Sequence, residues 1–389
     1  MTSLKKGSFA YENWRVEIAG EPSRSTAEFP LFTDARLLGT VPFKFGPYTL
    51  FNTMPPSGAG SLQSAVVLRI EYHSWYDAGL LAETNVERYH GGGTPDEIAA
   101  LASVCLGIRL KAGGMNRIFK PIEDPRGHPV AWEVDDNPSL LKPERKYSIL
   151  PRAISDRPFE DVSLLKQFPN LTAEASVALV RAARLYQDAL WIVESAPELS
   201  WLMLVFAIET AAGHWRQEKN PPLALMRASR PELEPLLKEA GGAELVQKIA
   251  ELIANYMGST KKFIDFVLEF LPPEPQERPP EYFQVSWKRK DLKKILGTIY
   301  GLRSRSLHDG IPFPMPMCDP PGNRHDNFLK EKPESTAIGG KGGVWTAKDM
   351  PMLLHIFEYI VRHALINWWG SMIQSDVQDD STSPQLTDA

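Results

Sequence analysis

Residues 179–213 read LVRAARLYQDALWIVESAPELSWLMLVFAIETAAG, and this stretch predicts two buried helices joined by a short break. In its first half, apolar residues recur at steps of three and four, as they do on the buried face of an α-helix. These residues are Leu179, Ala182, Tyr186, Ala189 and Val193. Pro197 precedes a second helix, predicted over residues 198–217, which is apolar nearly all round and is therefore expected at the centre of a helical bundle.

More helices follow this pair toward the C-terminus. Apolar periodicity predicts them at about residues 231–240, 244–257, 259–270, 288–310 and 353–368. Between the last two, residues 311–344 are rich in proline and glycine and predict a long loop, of a kind that is usually functional or disordered. Residues 376–389 are predicted to be a disordered acidic tail. We therefore assign residues 160–375 to an all-α bundle.

The first 150 residues differ from the rest and predict an α+β domain. Short runs of β-branched and aromatic residues, such as 41–51 and 65–72, lie between turn signals and indicate strands. The sequence does not identify the ligand or protein partner of this domain, whose expected role is to sense or bind one.

One helix is expected among these strands. The Thr94 hydroxyl is predicted as its N-cap, with Glu97 completing a capping box, and Gly113-Gly114 as its end. The preceding glycines, 91–93, lack both the lysine of a P-loop and the G-x-G-x-x-G order. They therefore favour a tight turn over a phosphate cradle.

Composition limits the class of protein. The chain has 389 residues and a formal net charge of −5, so contact with nucleic acid requires a local basic patch. Its two cysteines, Cys105 and Cys318, cannot form a disulfide framework or a four-thiolate zinc site, and we expect reduced thiols. No signal peptide or membrane-length apolar run is present, which predicts a cytoplasmic protein without a membrane partner.

Residues 288–310, KRKDLKKILGTIYGLRSRSLHDG, provide the local basic patch. Up to residue 305, seven cations face a single anion, Asp291. The candidate RNA-binding residues are Lys288, Arg289, Lys290, Lys293, Lys294 and Arg305. A cationic strip on one helix is typical of a protein that binds a polyphosphate, although a solvated helix face has the same composition.

Arg303 and His308 form an R-x4-H pattern within this helix. Histidine transfers protons in both directions near neutral pH, and an arginine fork stabilises charge on phosphate oxygens. Together they supply what metal-independent RNA cleavage requires, so no metal or other cofactor is expected. Glu209 is the isolated carboxylate of the apolar second helix, and we expect it to pair with Arg303 and orient it.

Four segments resemble the ApeA-like branch of the HEPN family. They are LYQDALWIVE (185–194), LSWLMLVFAIETAAG (199–213), IYGLRSRSLHDG (299–310) and MLLHIFEYIVRHALINWW (352–369). The resemblance implies a HEPN-like helical bundle that forms a homodimer, in which two R-x4–6-H motifs face each other across a composite cleft. Many HEPN proteins are metal-independent endoribonucleases of toxin–antitoxin, CRISPR and anti-phage systems.

The resemblance also implies roles for individual residues. Arg303 and His308 would be the catalytic pair, and Ser304 would hold the polar position after the arginine, where some members have Asn, Asp or His. Two other classes remain open. The first is a non-catalytic HEPN module that binds RNA or a protein partner, and the second is a structural interaction protein whose basic helix is only solvated.

Overall fold

The structure is a computed structural model that describes residues 6–39, 42–52, 61–74, 84–120, 124–131, 137–141, 147–215, 221–253, 258–322, 328–333, 338–340 and 342–379. It has an antiparallel sheet in its N-terminal part and helices in its C-terminal part. The predicted change from α+β to helical structure is therefore confirmed.

The N-terminal sheet is built around two long paired strands, β1 (Ser25–Thr33) and β5 (Gln63–Tyr72). The shorter strands are β3 (Phe43–Phe45), β4 (Tyr48–Asn52), β6 (Lys111–Ala112), β7 (Arg117–Phe119) and β8 (His128–Pro129). Their order is β3-β4-β5-β1-β7-β8, and β6 pairs with β1 beside β7. The strand predicted at 65–72 is confirmed, whereas the run at 41–51 forms two strands with a turn between them; Val41 lies outside the described residues.

Helices α1 (Phe9–Ile18) and α2 (Thr94–Leu106) belong to this region. The predicted cap of α2 is wrong, because Gly93 is the N-cap and the Asp96 carboxylate, not Glu97, accepts a hydrogen bond from its N–H. The predicted end is also wrong: Gly107 adopts a left-handed conformation, with φ of 67°, and stops the helix. The chain then runs extended into β6 instead of continuing the helical pattern.

The helical region begins with α3 (Ala173–Ile192) and α4 (Pro197–Trp215). The others are α5 (Pro222–Ser229), α6 (Leu233–Ile253), α7 (Ser259–Glu269), α8 (Arg289–His308) and α9 (Leu354–Asp379). Every predicted helix is present, and α5 is an addition. A kink at Gly241-Gly242 divides α6 where the sequence predicts two helices. Residues 216–217 and 254–257, predicted as helical, lie outside the described residues.

Several short elements complete the fold. Strand β2 (Arg36–Leu38) pairs in parallel with β9 (Asp156–Pro158), and β10 (Ile338–Gly340) pairs with β11 (Gly343–Trp345). Short 3-10 helices include Pro151–Ile154 and Phe159–Asn170. The helix α9 continues to Asp379, four residues into the predicted tail, and residues 380–389 lie outside the described residues. No helix in the described part of the chain is long and apolar enough to cross a membrane.

One hydrophobic core extends through both regions. It includes Leu68 and Ile70 of the sheet, Leu101 of α2, and the buried faces of the bundle helices. At its centre the Trp201 ring is stacked between Phe313 and Phe357, with ring centroids 5.2 and 4.8 Å away. The change of secondary structure near residue 150 is therefore not accompanied by a break in the core.

A buried arginine joins the two regions. The Arg109 guanidinium is fully buried and donates to the Asp34 carboxylate at 2.7 Å and to the Glu194 carboxylate at 2.9 Å. Its Nε donates to the carbonyl oxygen of Leu190, in α3, at 2.7 Å. Because Asp34 follows β1 and Glu194 follows α3, this guanidinium fixes the end of the sheet to the first bundle helix.

We expect Arg109→Met to lower the free energy of unfolding by about 3–5 kcal/mol, because two buried carboxylates lose their counter-charge. Urea denaturation of the full chain measures the change. Arg36→Met is the matched control, since the Arg36–Asp156 pair is exposed and such pairs contribute about 0–1 kcal/mol. Equal losses in the two variants would contradict the role assigned to Arg109.

Candidate nucleic-acid interface

The candidate site lies on α8, whose buried and exposed faces differ. Its buried face carries Leu292, Leu296, Ile299 and Leu302, as the periodicity predicts. The helix ends at His308, and the chain turns at Gly310, whose φ of 67° favours glycine. The N–H of Asp309 donates to the carbonyl oxygen of Arg305 at 2.9 Å and closes the last turn. His308 is therefore the last helical residue.

Glu209 of α4 pairs with Arg303, as the sequence predicts. The Arg303 Nη2 donates to one Glu209 oxygen at 2.8 Å, and the Tyr300 hydroxyl donates to the other at 2.7 Å. Burial and the nearby Glu209 carboxylate raise the pKa of Tyr300 to about 12, so the phenol remains a donor near neutral pH. Sequence reasoning missed Tyr300, although its position three residues before Arg303 places both on one helix face.

The Arg303 side chain is partly enclosed. It is 19% exposed, and its guanidinium carbon lies 5.4 Å from the Phe206 ring centroid and 5.3 Å from that of Tyr300. Its buried Nε has no hydrogen-bond partner among the described residues. Glu209 holds Nη2, so Nη1 and the buried Nε are the guanidinium nitrogens without a described partner. The contacts fix the guanidinium in place at the boundary between α4 and α8.

His308 is open to solvent but does not contact Arg303. His308 is five positions after Arg303 on one helix, which places it about 140° around the axis and about 7.5 Å along it. Ser304 lies one turn before His308, so the two side chains share one face of the helix. Within a single chain the structure thus brings Arg303 and Glu209 together and leaves His308 apart, beside Ser304.

Most of the candidate RNA-binding residues are exposed. Lys288, Lys290, Lys293, Lys294 and Arg305 project from α8 or its N-cap and form no ion pair with a described residue. Arg289 differs, because its Nη1 donates to the carbonyl oxygen of Leu268 at 2.8 Å and so caps the end of α7. The exposed cations create a positive surface on α8, where Asp291 of the first turn is the acidic residue among them.

Two glycines lie on the same face of α8 as His308. At about 100° per residue, Lys290, Lys294, Gly297, Gly301 and His308 fall within a narrow strip along the helix. A Cβ built on Gly297 or Gly301 would meet no described atom within 4 Å outside the backbone of the helix, so neither glycine is needed for packing within the chain. The face is therefore cationic at one end, flat in the middle, and ends in an imidazole. The sequence contains both glycines, but only the helix register shows their alignment.

A second exposed surface lies on α4, next to Arg303. Leu199, Met203, Phe206 and Thr210 share one face of this helix and are only partly buried. Leu199 is 49% exposed, and Leu307, near the end of α8, is 45% exposed. We call this row of α4 residues the α4 stripe. It provides apolar surface on the side of α4 that Arg303 borders.

The segment after α8 folds back over the beginning of α4. Phe313 stacks on Trp201, and the Trp201 indole N–H donates to the carbonyl oxygen of Met317 at 3.3 Å. A cleft of about 910 Å³ lies here, lined by Ile311, Glu198 and Trp345 among others. The described residues of 311–344 therefore pack against the bundle and leave His308 exposed.

The remaining histidines belong to other surroundings. Burial lowers the pKa of His355 and of His363 to about 4, and nearby arginines act in the same direction. Both imidazoles are therefore neutral near pH 7. Among the described residues, no group of three His, Cys, Asp or Glu side chains is arranged to hold a metal ion.

The chain matches no known protein family and shows no significant similarity to a characterised protein or a solved structure.

We expect Gly301→Ala to raise the free energy of unfolding by about 0.5–1 kcal/mol. Glycine is unfavourable inside a helix, and the added methyl group meets open space. Urea denaturation measures the change. Gly107→Ala is the control and should destabilise the protein, because Gly107 has a φ of 67° and an added Cβ would lie 2.8 Å from the Arg362 Nε. A loss of stability in Gly301→Ala would show that this glycine has a packing role.

Proposed function

We propose that this protein is a metal-independent endoribonuclease of the HEPN type, and that its C-terminal helices form a HEPN-like bundle. The observation that carries the proposal is the exposed face of α8, on which unpaired lysines, two unpacked glycines and a free imidazole are aligned. Lysines bind phosphates as point charges. The glycines leave room for a sugar–phosphate backbone to approach the helix and reach His308.

The proposed reaction needs one proton acceptor, one proton donor and one cation. The RNA 2′-oxygen attacks the adjacent phosphorus as its proton is removed, and the bond from phosphorus to the 5′-oxygen breaks as that oxygen is protonated. His308 performs one of these proton transfers, and a solvent water molecule performs the other. Arg303 stabilises the negative charge of the phosphorane, and Glu209 acts through Arg303 as a positioning residue. Ser304 lies beside His308 as a further polar contact for the substrate.

The separation of Arg303 from His308 favours a site made by two copies of the chain. In a homodimer across the α4 stripe, Arg303 at the border of the stripe would approach the partner's His308. The stripe supplies apolar surface for such an interface, and Leu307 extends it toward the histidine. Arg303, held in place by Glu209, would then be fixed before substrate binds.

Single-stranded RNA incubated with the purified chain and EDTA should be cut to products with 2′,3′-cyclic phosphate ends. We expect His308→Ala and Arg303→Ala each to slow cleavage by at least about 100-fold, because each removes a group that acts on the reacting atoms. Gel analysis of end-labelled RNA gives the rates.

His128→Ala is the matched control, since this exposed imidazole pairs with Asp124 in the N-terminal sheet. It should cleave at the wild-type rate, and circular dichroism should show unchanged helix content in all three variants. Cleavage that persists in His308→Ala, or that EDTA abolishes, would contradict the mechanism.

For the dimer, we expect light scattering to give twice the chain mass, and Leu199→Glu to convert the dimer to a monomer. A buried, unpaired carboxylate in an apolar interface is strongly unfavourable. Leu252→Glu on α6 is the control, because this leucine is also exposed but lies far along the chain from the stripe. A wild-type monomer at the concentration used for cleavage would contradict the composite site.

A non-catalytic RNA-binding module is the second candidate. It is favoured by the lack of contact between Arg303 and His308 within one chain. In that case RNA would bind with an affinity that falls steeply with salt and falls again in Lys290→Ala and Lys294→Ala, while no cleavage product forms. If the dimeric protein binds RNA but forms no cleavage product, the non-catalytic module is the correct candidate.

A further inference from the structure

A cavity of about 590 Å³ lies at one end of the N-terminal sheet, between the sheet, α1 and the start of α2. Ser25, Ala27 and Phe29 alternate along β1, so their side chains share one face and line the cavity. Tyr72 pairs with Ser25 across the sheet, and Ile118 pairs with Ala27, and both also line it. Farther along β1 the same face is covered by the core.

A buried carboxylate fixes the two helices that border this cavity. Glu97 of α2 is fully buried and accepts hydrogen bonds from the N–H groups of Phe9, at 2.9 Å, and Ala10, at 2.6 Å. The His90 Nε2 lies 2.6 Å from the same carboxylate. Because these contacts attach the start of α1 to α2, the cavity is formed without a ligand.

Several polar groups in the lining have no partner in the described part of the chain. The hydroxyls of Ser25, Tyr72 and Thr94 make no hydrogen bond to another described residue. Burial raises the pKa of Tyr72 well above its ordinary value, so its phenol is a donor near neutral pH. The Thr94 N–H lies in the first turn of α2 and has no acceptor within the helix. These groups can bind polar atoms of a ligand.

Positive charge lies at one side of the cavity. Lys6 and Arg88 both line it, and the Arg88 guanidinium is stacked 4.6 Å from the Phe9 ring centroid. Among the described residues that line the cavity, Glu12 is the one carboxylate, and it accepts a hydrogen bond from the N–H of Gly7. The Asp96 carboxylate already accepts a hydrogen bond from the N-cap of α2, and its negative charge disfavours a second anion at that end of the helix. An anionic ligand group is therefore expected to bind on the side of Lys6 and Arg88.

We propose that this cavity binds a small aromatic anion with the chemistry of a nucleoside monophosphate. The aromatic ring would lie against Phe29 and Tyr72, and the phosphate would bind Lys6 and Arg88. Its volume falls within the range of about 300–1,000 Å³ that is typical of small-molecule sites. Aromatic side chains with a few placed polar groups and a cation are the lining that such a ligand requires.

The cavity is connected to the bundle through Arg181 of α3. Its guanidinium donates to the carbonyl oxygens of Val86, Glu87 and Tyr89, at 2.9, 2.7 and 3.1 Å. These residues flank Arg88 in the sequence. A ligand that binds Arg88 therefore also restrains residues 86–89, which Arg181 attaches to α3. Ligand binding is therefore expected to stabilise the whole fold and not only the sheet.

The test is calorimetric titration of the full chain with AMP, GMP, CMP and UMP, with adenosine and inorganic phosphate as fragments. At least one monophosphate should bind, should bind more tightly than either fragment, and should raise the thermal midpoint of unfolding. Arg88→Ala should weaken this binding at least about tenfold, because it removes a charge-assisted contact to phosphate. Tyr72→Phe should weaken it by a smaller factor, because it removes only the hydroxyl.

Arg126→Ala is the control, since this exposed arginine lies in the turn before β8. His308→Ala must also retain binding, which separates this site from the proposed nuclease site. The proposal is overturned if no monophosphate binds at millimolar concentration, if Arg88→Ala binds as tightly as the wild type, or if adenosine binds as tightly as AMP.

Discussion

The buried Arg109 guanidinium is the constraint on which the arrangement of the two regions depends. A charge in a fully apolar interior is very unfavourable, and it is tolerated only where opposite charges and hydrogen bonds surround it. Here the two carboxylates come from the end of β1 and the end of α3, and the carbonyl oxygen comes from α3 itself. Loss of any one of these partners would leave a buried charge without its counter-charge, so the contacts hold the end of the sheet against α3.

Fixing α3 in this way also fixes the helices that carry the candidate site. The Ser200 hydroxyl of α4 donates to the carbonyl oxygen of Ala189 in α3 at 2.9 Å, so α4 is held against α3. Arg303 and Tyr300 then attach α8 to α4 through Glu209. Polar contacts thus run from the sheet, through Arg109, to α8. The proposed ligand cavity reaches the same α3 through Arg181, which attaches the segment before α2 to the bundle.

The sequence predicted those features that local pattern determines. An isolated carboxylate in an apolar helix requires a partner, which is why the Glu209–Arg303 pair was predictable. The end of α2 was not, because residues 108–111 continue a helical pattern. In the structure the helix has already ended, and the chain leading into β6 places Arg109 between its carboxylates. The angular separation of Arg303 and His308 about the helix axis was also not predictable. It depends on the helix continuing through the histidine, and only then are the two side chains about 140° apart.

The two faces of α8 differ in what they contribute to stability. The buried face is well packed, but the exposed face contains two glycines, each unfavourable by about 1 kcal/mol relative to alanine. It also has lysines one turn apart, which repel each other, and cations at the N-terminal end, where the helix dipole is positive. Such a face is expected where residues serve binding at the expense of stability. A polyanion that neutralises the lysines and lies over the glycines would offset both the charge repulsion and the unfavourable glycines.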